Sequence, residues 1–268
     1  MKLYDLIKQR RSVRTFNEEV VEQEKLDAII DCANNATNPY NQKIEWKILD
    51  LVKDNLKTPV IVGTNAFIAG KMQKALDCEV AFGYSFEQVV LYAQSLNIGT
   101  TWIAGTMDRK SFENAIDVKD GEVMPCVSPL GYVAKKMGIK EVVMRTALKA
   151  DKRVKFEDIF FDKSFNTPLS QDAAGKLFNA FEMVRLAPSA VNKQPWRLLK
   201  DGNNIHFYEK QSLGLNKEGL DIQKIDIGIA LYHFVASLKE EKIDCEFSIN
   251  EPSIDKGDLK YIATITIK

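Results

Sequence analysis

A basic cluster near the start of the chain has a composition that suits a phosphate group. The stretch "RRSVR" places Arg10, Arg11 and Arg14 around Ser12. A phosphate held against a protein needs charge-assisted donors. The planar guanidinium of arginine grips two oxygens at once, and a serine hydroxyl adds a further donor. Taken alone, the cluster is equally well explained as the solvated basic end of a helix.

A second polar segment, "APSAVNKQPW" (Ala187–Trp196), lies in the other half of the chain. Its prolines restrict the backbone, its small residues allow a close approach, and its two side-chain amides offer donors and acceptors together. This combination suits a flat heterocycle that carries both N–H and C=O groups. A plain turn whose side chains cap their own backbone explains it too. The candidate ligand-binding residues are Pro188, Ser189, Ala190, Asn192 and Gln194.

A third candidate, "IGTTWIAGT" (Ile98–Thr106), follows a long helical pattern. Gly99 can end that helix, and Gly105, which follows Ala104, leaves bare backbone that a ligand can approach. A purely structural role also explains both glycines. The chain contains neither G-x-G-x-x-G nor G-x-x-x-x-G-K-[ST], so the sequence does not support a nucleotide site of the Rossmann or P-loop kind.

The elements that carry these segments occur twice. Phe16–Leu49 and Phe165–Leu199 both open with Phe-Asn, run through an amphipathic helix and a Pro/Asn/Gln loop, and close on a tryptophan followed by an apolar strand. Phe82–Ile103 and Ile227–Ile249 both read as a long helix that leads into a short strand. The two matches follow the same order, which indicates an internal duplication. The alternative is that helix–loop–strand units look alike in any α+β protein.

These repeats predict an α+β fold with two similar halves, 1–150 and 151–268. No Gly/Ser-rich linker interrupts the connecting segment Lys135–Phe165, so we expect the halves to pack together as an intramolecular pseudo-dimer. The predicted strands are Trp46–Val52, Pro59–Val62, Thr100–Ala104, Val123–Leu130, Trp196–Leu199, Ile205–Tyr208, Cys245–Ile249 and Tyr261–Ile267.

Composition narrows the possible function classes. Lys+Arg and Asp+Glu both number 37, so no global positive field would attract nucleic acid or an anionic membrane. The four scattered cysteines read as reduced thiols, and no Cys or His motif has metal-ligand spacing. His206 and His233 read as packing or surface residues. Because the chain shows no apolar signal core and no membrane-length apolar run, we predict a cytoplasmic protein without a metal site.

In combination and in order, these segments resemble the FMN-dependent nitroreductase family. "RRSVRTF" (10–16) resembles its N-terminal phosphate motif, "APSAVNKQPW" its flavin-ring loop, and "LNIGTTWIAG" (96–105) its helix-to-strand passage beside the flavin. "SPLGYVAKK" (128–136) is similar to a strand near the end of the family's chains. "KRVKFEDIF" (152–160) is similar to their basic tail, which also reaches the phosphate. The resemblance touches most of the chain.

The resemblance implies FMN as the cofactor. Family members are usually homodimers in which the basic motif of one subunit and the Pro-Ser-Asn-Gln loop of the other bind one FMN. Here the duplication implies a monomer that acts as its own dimer. Arg14 would lie near the pyrimidine side of the ring, where a fixed cation stabilises the reduced flavin. The backbone around Ala104 and Gly105 would donate to the ring nitrogen that receives hydride. The implied phosphate ligands are Arg10, Arg11, Ser12, Lys152 and Arg153.

Two departures from the family pattern imply a single complete site. The first-half loop reads "ATNPYNQKIEW" (36–46), and "FFDKS" (160–164) stands where the second-half arginines would be. A second phosphate would meet Asp162 with only Lys163 as counter-charge, and Glu45 would place a negative charge near a ring that must become anionic. We therefore predict one FMN per chain. The segment 51–80 also looks shorter than in many family members, so the shape of the substrate pocket stays open.

The resemblance further implies an oxidoreductase with a ping-pong mechanism. NADH or NADPH would reduce FMN and leave, and a nitroaromatic, quinone or related small acceptor would then take the electrons. The flavin carries this chemistry, so we expect no catalytic side chain. The alternatives are a non-catalytic flavin-binding or sensor protein, and a duplicated structural protein whose basic cluster is only a surface feature.

Overall fold

The computed structural model describes residues 2–268 and divides them into two compact units. Unit 1 contains Gln9–Ala150, and unit 2 contains Asp151–Lys268 together with Lys2–Lys8. The N-terminal helix α1 (Leu3–Gln9) begins in unit 2, where the backbone N–H of Leu3 donates to Glu240 Oε1 over 3.0 Å. The sequence prediction counts this short segment with the first half.

Unit 1 is built around a central strand whose neighbours all run antiparallel to it. This strand, β2, pairs with β1, β3 and β4. The helix α3 is apolar on nearly every side and is buried along most of its length, as expected for a helix inside a core. The elements of unit 1 are α2 (Gln23–Asn35), β1 (Glu45–Asp50), β2 (Ala66–Gln73), α3 (Cys78–Ser95), α4 (Arg109–Ala115), β3 (Glu122–Val123), β4 (Val127–Leu130) and α5 (Ile139–Ala147).

Unit 2 contains a six-stranded sheet with the order β6-β5-β7-β8-β10-β9. Its strands pair antiparallel except for β5 and β7, which run parallel. The long helix α8 packs on α7 and on the sheet, with Phe181, Phe207 and Phe234 among the fully buried side chains. The elements of unit 2 are β5 (Phe160–Asp162), β6 (Ser164–Pro168), α6 (Gln171–Ala174), α7 (Phe178–Leu186), β7 (Trp196–Asp201), β8 (Asn204–Glu209), α8 (Ile222–Glu240), β9 (Cys245–Ser248) and β10 (Lys260–Ile267).

The same order of elements occurs in both units. In unit 1, α2, a polar loop, β1, β2 and α3 follow one another, and in unit 2 the order is α7, a polar loop, β7, β8 and α8. The two strands after the loop pair antiparallel in each case, and the second of them also pairs with a later strand of its unit. The predicted α+β fold class is therefore confirmed.

Several strand predictions are wrong in detail. Pro59–Val62 and Thr100–Ala104 are predicted strands, but they take part only in isolated bridges such as Thr15 with Val62 and Ser12 with Thr100. The prediction also missed β2, β5 and β6. None of the helices within residues 2–268 has both the length and the apolar character needed to span a bilayer.

Candidate functional site

In unit 1, the basic motif runs as an extended segment beside two other motifs that the sequence singles out. The backbone N–H of Val13 donates to Thr100 O over 2.9 Å, and Thr101 N–H donates to Ser128 Oγ over 3.1 Å. A further backbone bond joins Gly99 N–H to Gly131 O over 2.8 Å. Residues of "RRSVRTF", "LNIGTTWIAG" and "SPLGYVAKK" therefore lie together in unit 1.

Arg10 carries a buried guanidinium with unused hydrogen-bonding capacity. The residue is 9% exposed, and its Nη1 is shielded from solvent without a hydrogen-bond partner among residues 2–268. Burial lowers the pKa of Arg10, and the nearby carboxylate of Glu87, itself 0% exposed, acts in the opposite direction. A buried charged nitrogen without a partner is costly, so this atom is suited to an anionic ligand that supplies an acceptor.

Arg11 is held by a protein carboxylate instead. Its Nη1 lies 2.6 Å from Glu141 Oε1, while Glu141 Oε2 accepts from the backbone N–H groups of Arg14 (3.1 Å) and Thr15 (2.8 Å). Burial opposes ionisation of Glu141, but the bonds from Thr15, Arg11 and Arg14 outweigh it and lower the carboxyl pKa. Glu141 therefore fixes the backbone of the basic motif and neutralises one of its arginines.

The sequence analysis missed a fourth arginine near the motif. Arg145 in the last turn of α5 lies close enough to Arg10 and Arg14 to lower the pKa of both. For each of the two, burial is the larger cause, and a glutamate, Glu87 or Glu141, acts in the opposite direction. Like charges gathered in a partly buried place indicate that an anion is to be bound there.

The charge of this cluster fits a phosphate. The three arginines of the motif lie near two buried glutamates, Glu87 and Glu141, which leaves one positive charge in excess among these five side chains. A phosphate monoester near neutral pH carries about −1.5 to −2 charges and offers three acceptor oxygens. The predicted phosphate role of Arg11 stays a prediction, although its Nη1 is engaged by Glu141.

Ala104 and Gly105 lie in the segment that connects α3 with α4. The carbonyl of Ala104 accepts from Arg109 Nη2 over 2.9 Å, which fixes the peptide that precedes Gly105. A Cβ added at Gly105 would meet no atom within 4 Å in the described part of the chain. The backbone at Gly105 therefore borders open space, as the predicted approach of a ligand requires.

In unit 2, the loop Ala187–Trp196 has an unusual backbone. Val191, Asn192 and Gln194 adopt left-handed conformations, with φ of 44°, 57° and 49°. The hydroxyl of Ser189 accepts from Gln194 N–H over 2.9 Å and closes the loop on itself. A β-branched residue with positive φ is a rare outlier, and such strain concentrates at functional sites.

The amides of this loop tie it to the basic tail of the resemblance. Gln194 Oε1 accepts from Val154 N–H over 2.9 Å, and Asn192 Nδ2 donates to Lys152 O over 3.1 Å. Arg153 Nη2 donates to Leu186 O over 3.2 Å. The two predicted groups Lys152–Arg153 and Pro188–Gln194 therefore lie together in unit 2. The side-chain amides of Asn192 and Gln194 hold the loop in shape. Their predicted contact with a ligand stays a prediction.

Comparison with known proteins gives the family. A sequence model of the family described as "Putative TM nitroreductase" matches residues 2–238 of the chain. The chain belongs to this nitroreductase family. Membership assigns it to the oxidoreductases.

Solved structures with the nitroreductase fold resemble this chain. A Thermotoga maritima protein described as a "putative nitroreductase" matches 100% of this chain and 93% of its own, with 20% identity and a TM-score of 0.63. Shorter matches are a nitroreductase family protein from Clostridium novyi NT (20% identity, 50% of this chain and 87% of that one, TM-score 0.44) and an FMN-dependent nitroreductase from Clostridium difficile R20291 (20%, 53% and 94%, 0.42). The search of curated proteins found no match. At such identities, the Thermotoga structure shows a shared fold.

The second unit of this nitroreductase lacks the basic cluster of the first. The segment "FFDKS" forms β5 and a turn in which Lys163 has φ of 60°, and its backbone pairs with β6 and β7. Phe161 lines an open groove of about 520 Å³ together with Phe165, Arg197 and Lys210. This groove contains none of the predicted site residues, so we do not place the flavin there.

Proposed function

We propose that this nitroreductase binds FMN through the arginine cluster of unit 1 and uses it as an NAD(P)H-dependent oxidoreductase. The observation that carries the proposal is the buried, unpartnered Nη1 of Arg10 inside a cluster with excess positive charge. The sequence motifs that resemble those of flavin-binding family members support the same cofactor. When bound, FMN would supply the two-electron chemistry by which NAD(P)H reduces a nitroaromatic, quinone or related acceptor in a ping-pong mechanism.

The chain's own residues would bind and orient the cofactor. Arg10, Arg14 and Arg145 would hold the phosphate, with Ser12 as a further donor, and Glu141 would fix the backbone that carries them. The open backbone at Gly105 would lie against the ring. We further propose that the loop Ala187–Trp196, which resembles the family's flavin-ring loop, contributes to flavin affinity, since its strained conformation is held by hydrogen bonds.

Ligand selectivity tests the cofactor. We expect the protein to bind FMN more tightly than riboflavin, because riboflavin lacks the phosphate. Arg145→Met should weaken FMN about tenfold or more, since it removes a charge-assisted contact, and should leave riboflavin affinity within about twofold. Arg185→Met, in unit 2, is the matched control and should change both affinities by less than about threefold.

The readout is isothermal titration or flavin fluorescence on the full chain. Equal weakening of FMN and riboflavin by Arg145→Met would show that the cluster does not bind phosphate. NADH and NADPH oxidation with a quinone acceptor then separates the enzyme from a non-catalytic flavin protein. Flavin binding without turnover would favour the sensor alternative.

A further inference from the structure

The flavin-ring loop needs something to hold its strained conformation. Three of its residues are left-handed, and Val191 among them is 48% exposed, so its side chain gains little from burial in this position. Left-handed φ at non-glycine residues persists only where surrounding bonds determine it. The bonds on one side of the loop come from Lys152–Val154.

On another side, the loop is bound by a side chain from the middle of unit 2. Both carboxylate oxygens of Asp226, on α8, accept from the backbone N–H of Ala190, over 3.0 Å and 3.1 Å. Ala190 is the residue directly before Val191. Asp226 itself is 4% exposed and stands between the apolar residues Ile225 and Ile227. A carboxyl group in such a place costs free energy unless a hydrogen bond satisfies it.

The surroundings of Asp226 shift the pKa of its carboxyl group. Burial raises its pKa well above the ordinary value, the bond from Ala190 acts in the opposite direction, and the neighbouring carboxyls of Asp221 and Glu209 raise it further. Lys260 and Lys224 act on Glu209 in the opposite direction, and Lys260 Nζ lies 4.0 Å from Asp221 Oδ2. The hydrogen bond from Ala190 gives the buried Asp226 a partner in the loop.

We propose that Asp226 is a positioning residue that fixes the N–H of Ala190 and thereby holds Val191–Gln194 in the strained conformation on which the proposed contribution of this loop to flavin affinity depends. The part of this proposal that concerns the ring rests on the proposed function. The part that concerns the loop does not, because the hydrogen bond and the backbone conformation are properties of the protein alone.

The loop itself gives the first test. Asp226→Leu has a similar shape but offers no acceptor, so it should raise the hydrogen-exchange rate of the Ala190 amide about tenfold or more through local opening. Asp226→Asn keeps an acceptor oxygen and should restore protection to within about threefold of the wild type. Ser237→Ala is the control, since it removes a buried hydroxyl from the same helix whose bond goes to His233 O. Its Ala190 exchange should be unchanged.

Ligand binding gives the second test. Asp226→Leu should weaken riboflavin and FMN by the same factor, about tenfold, because the loop acts on the ring and not on the phosphate. Asp226→Asn should bind both nearly as the wild type does. A rescue by asparagine is not expected if the acid acts only through its charge. Selective loss of FMN, or equal loss in the leucine and asparagine variants, would overturn the proposal.

A variant on the other partner covers the case in which Asp226→Leu does not fold. Ala190→Pro removes the donor from a partly exposed residue, and the extended conformation of Ser189 (φ −149°, ψ 158°) suits the position before a proline. It should weaken both flavins equally, and adding Asp226→Asn should weaken neither any further, since the bond is already lost. A further loss on adding Asp226→Asn, or a selective loss of FMN, would contradict the proposal. If the wild type bound no flavin, the proposed function would fail, and amide exchange alone would decide the role of Asp226.

Discussion

The loops Ala36–Trp46 of unit 1 and Ala187–Trp196 of unit 2 occupy the same place in the element order but are held in different ways. In unit 1, Asn38 and Gln42 bind each other through Asn38 Nδ2 to Gln42 O (2.7 Å) and Gln42 N–H to Asn38 Oδ1 (3.2 Å). In unit 2, the amides bind the distant segment 152–154. The side chain of Asn38 thus bonds within its own loop, whereas those of Asn192 and Gln194 reach a segment 40 residues away in the sequence.

The backbone five residues before the tryptophan shows the contrast most clearly. Asn41 in unit 1 has φ of 54°, and Val191 in unit 2 has φ of 44°. Asparagine tolerates the left-handed region, whereas a β-branched residue is strained there. Behind the loops, the long helices offer Ser85, a neutral partner of Asn38, in unit 1 and the acid Asp226 in unit 2. Of these two loops, the second therefore combines a strained β-branched residue with a buried acid, which is the pattern of a functional segment.

The largest expected difference between the two units is the pH dependence of the free energy of unfolding, because a buried carboxyl pair lies in unit 2. Burial, together with the nearby carboxyl of Asp221, raises the pKa of Glu209 to about 7. Between about pH 4.5 and 7, the carboxyl of Glu209 is therefore protonated in the folded chain and ionised in the unfolded chain. The contribution of Glu209 to the free energy of unfolding falls as pH rises through this window, by about 3 kcal/mol.

Urea unfolding at pH 5, 6, 7 and 8 measures this effect. Glu209→Gln should flatten the decline, since the amide does not titrate. Glu45→Gln, in the loop of unit 1, is the exposed control and should leave the pH dependence unchanged. An identical decline in Glu209→Gln and the wild type would show that the carboxyl pair is not responsible.

The next largest difference concerns the amides. Gln194 is 3% exposed and accepts the N–H of Val154, so Gln194→Leu should cost about 2 kcal/mol by leaving that donor without its partner. Gln42→Leu in unit 1 removes an exposed bond from Gln42 Nε2 to Leu76 O and should cost less than about 0.5 kcal/mol. The free energy of unfolding in urea gives both values. Equal costs would mean that the second loop is no more dependent on its anchor than the first.

The smallest expected effect comes from exchanging the left-handed residues. Val191→Asn should stabilise the protein by about 1 kcal/mol, because asparagine adopts φ near 50° with less strain, and Asn41→Val should destabilise it by about the same amount. Thermal unfolding measures both shifts. If Val191→Asn were also to leave flavin affinity unchanged, the strained valine would have no role in binding.

Much of the fold followed from periodicity, and its failures have local causes. The strands β7, β8 and β10 lie within one or two residues of the prediction, because each is a short run that contains apolar and aromatic residues. The strand β2 was missed since Gly70 and Lys71 interrupt "AFIAGKMQ". The structure explains Gly70, because a Cβ there would lie 2.5 Å from ring atoms of Trp46. No sequence pattern reveals that cross-strand approach.

The motifs of the candidate site could be predicted from the sequence, but the residues that surround those motifs could not. The sequence could not separate Arg10 from Arg11, because their different environments depend on Glu87 and on Glu141, 130 residues from Arg11. Arg145 lay outside any motif. Asp226 did leave a signal, since a lone acid between isoleucines in a long apolar helix requires a buried partner.

Flavin stoichiometry tests the account most directly, because it asks whether only one of the two units provides a phosphate site. Purified protein saturated with FMN and freed of excess ligand is denatured, and the absorbance of the released flavin is divided by the protein concentration. The account predicts about one FMN per chain, because the arginine cluster of unit 1 has no counterpart in "FFDKS", where a second phosphate would lack counter-charge at a cost of several kcal/mol. A ratio near two would show that the second unit also binds FMN. A ratio near zero, with no flavin retained after saturation, would contradict the phosphate role of Arg10, Arg14 and Arg145 altogether.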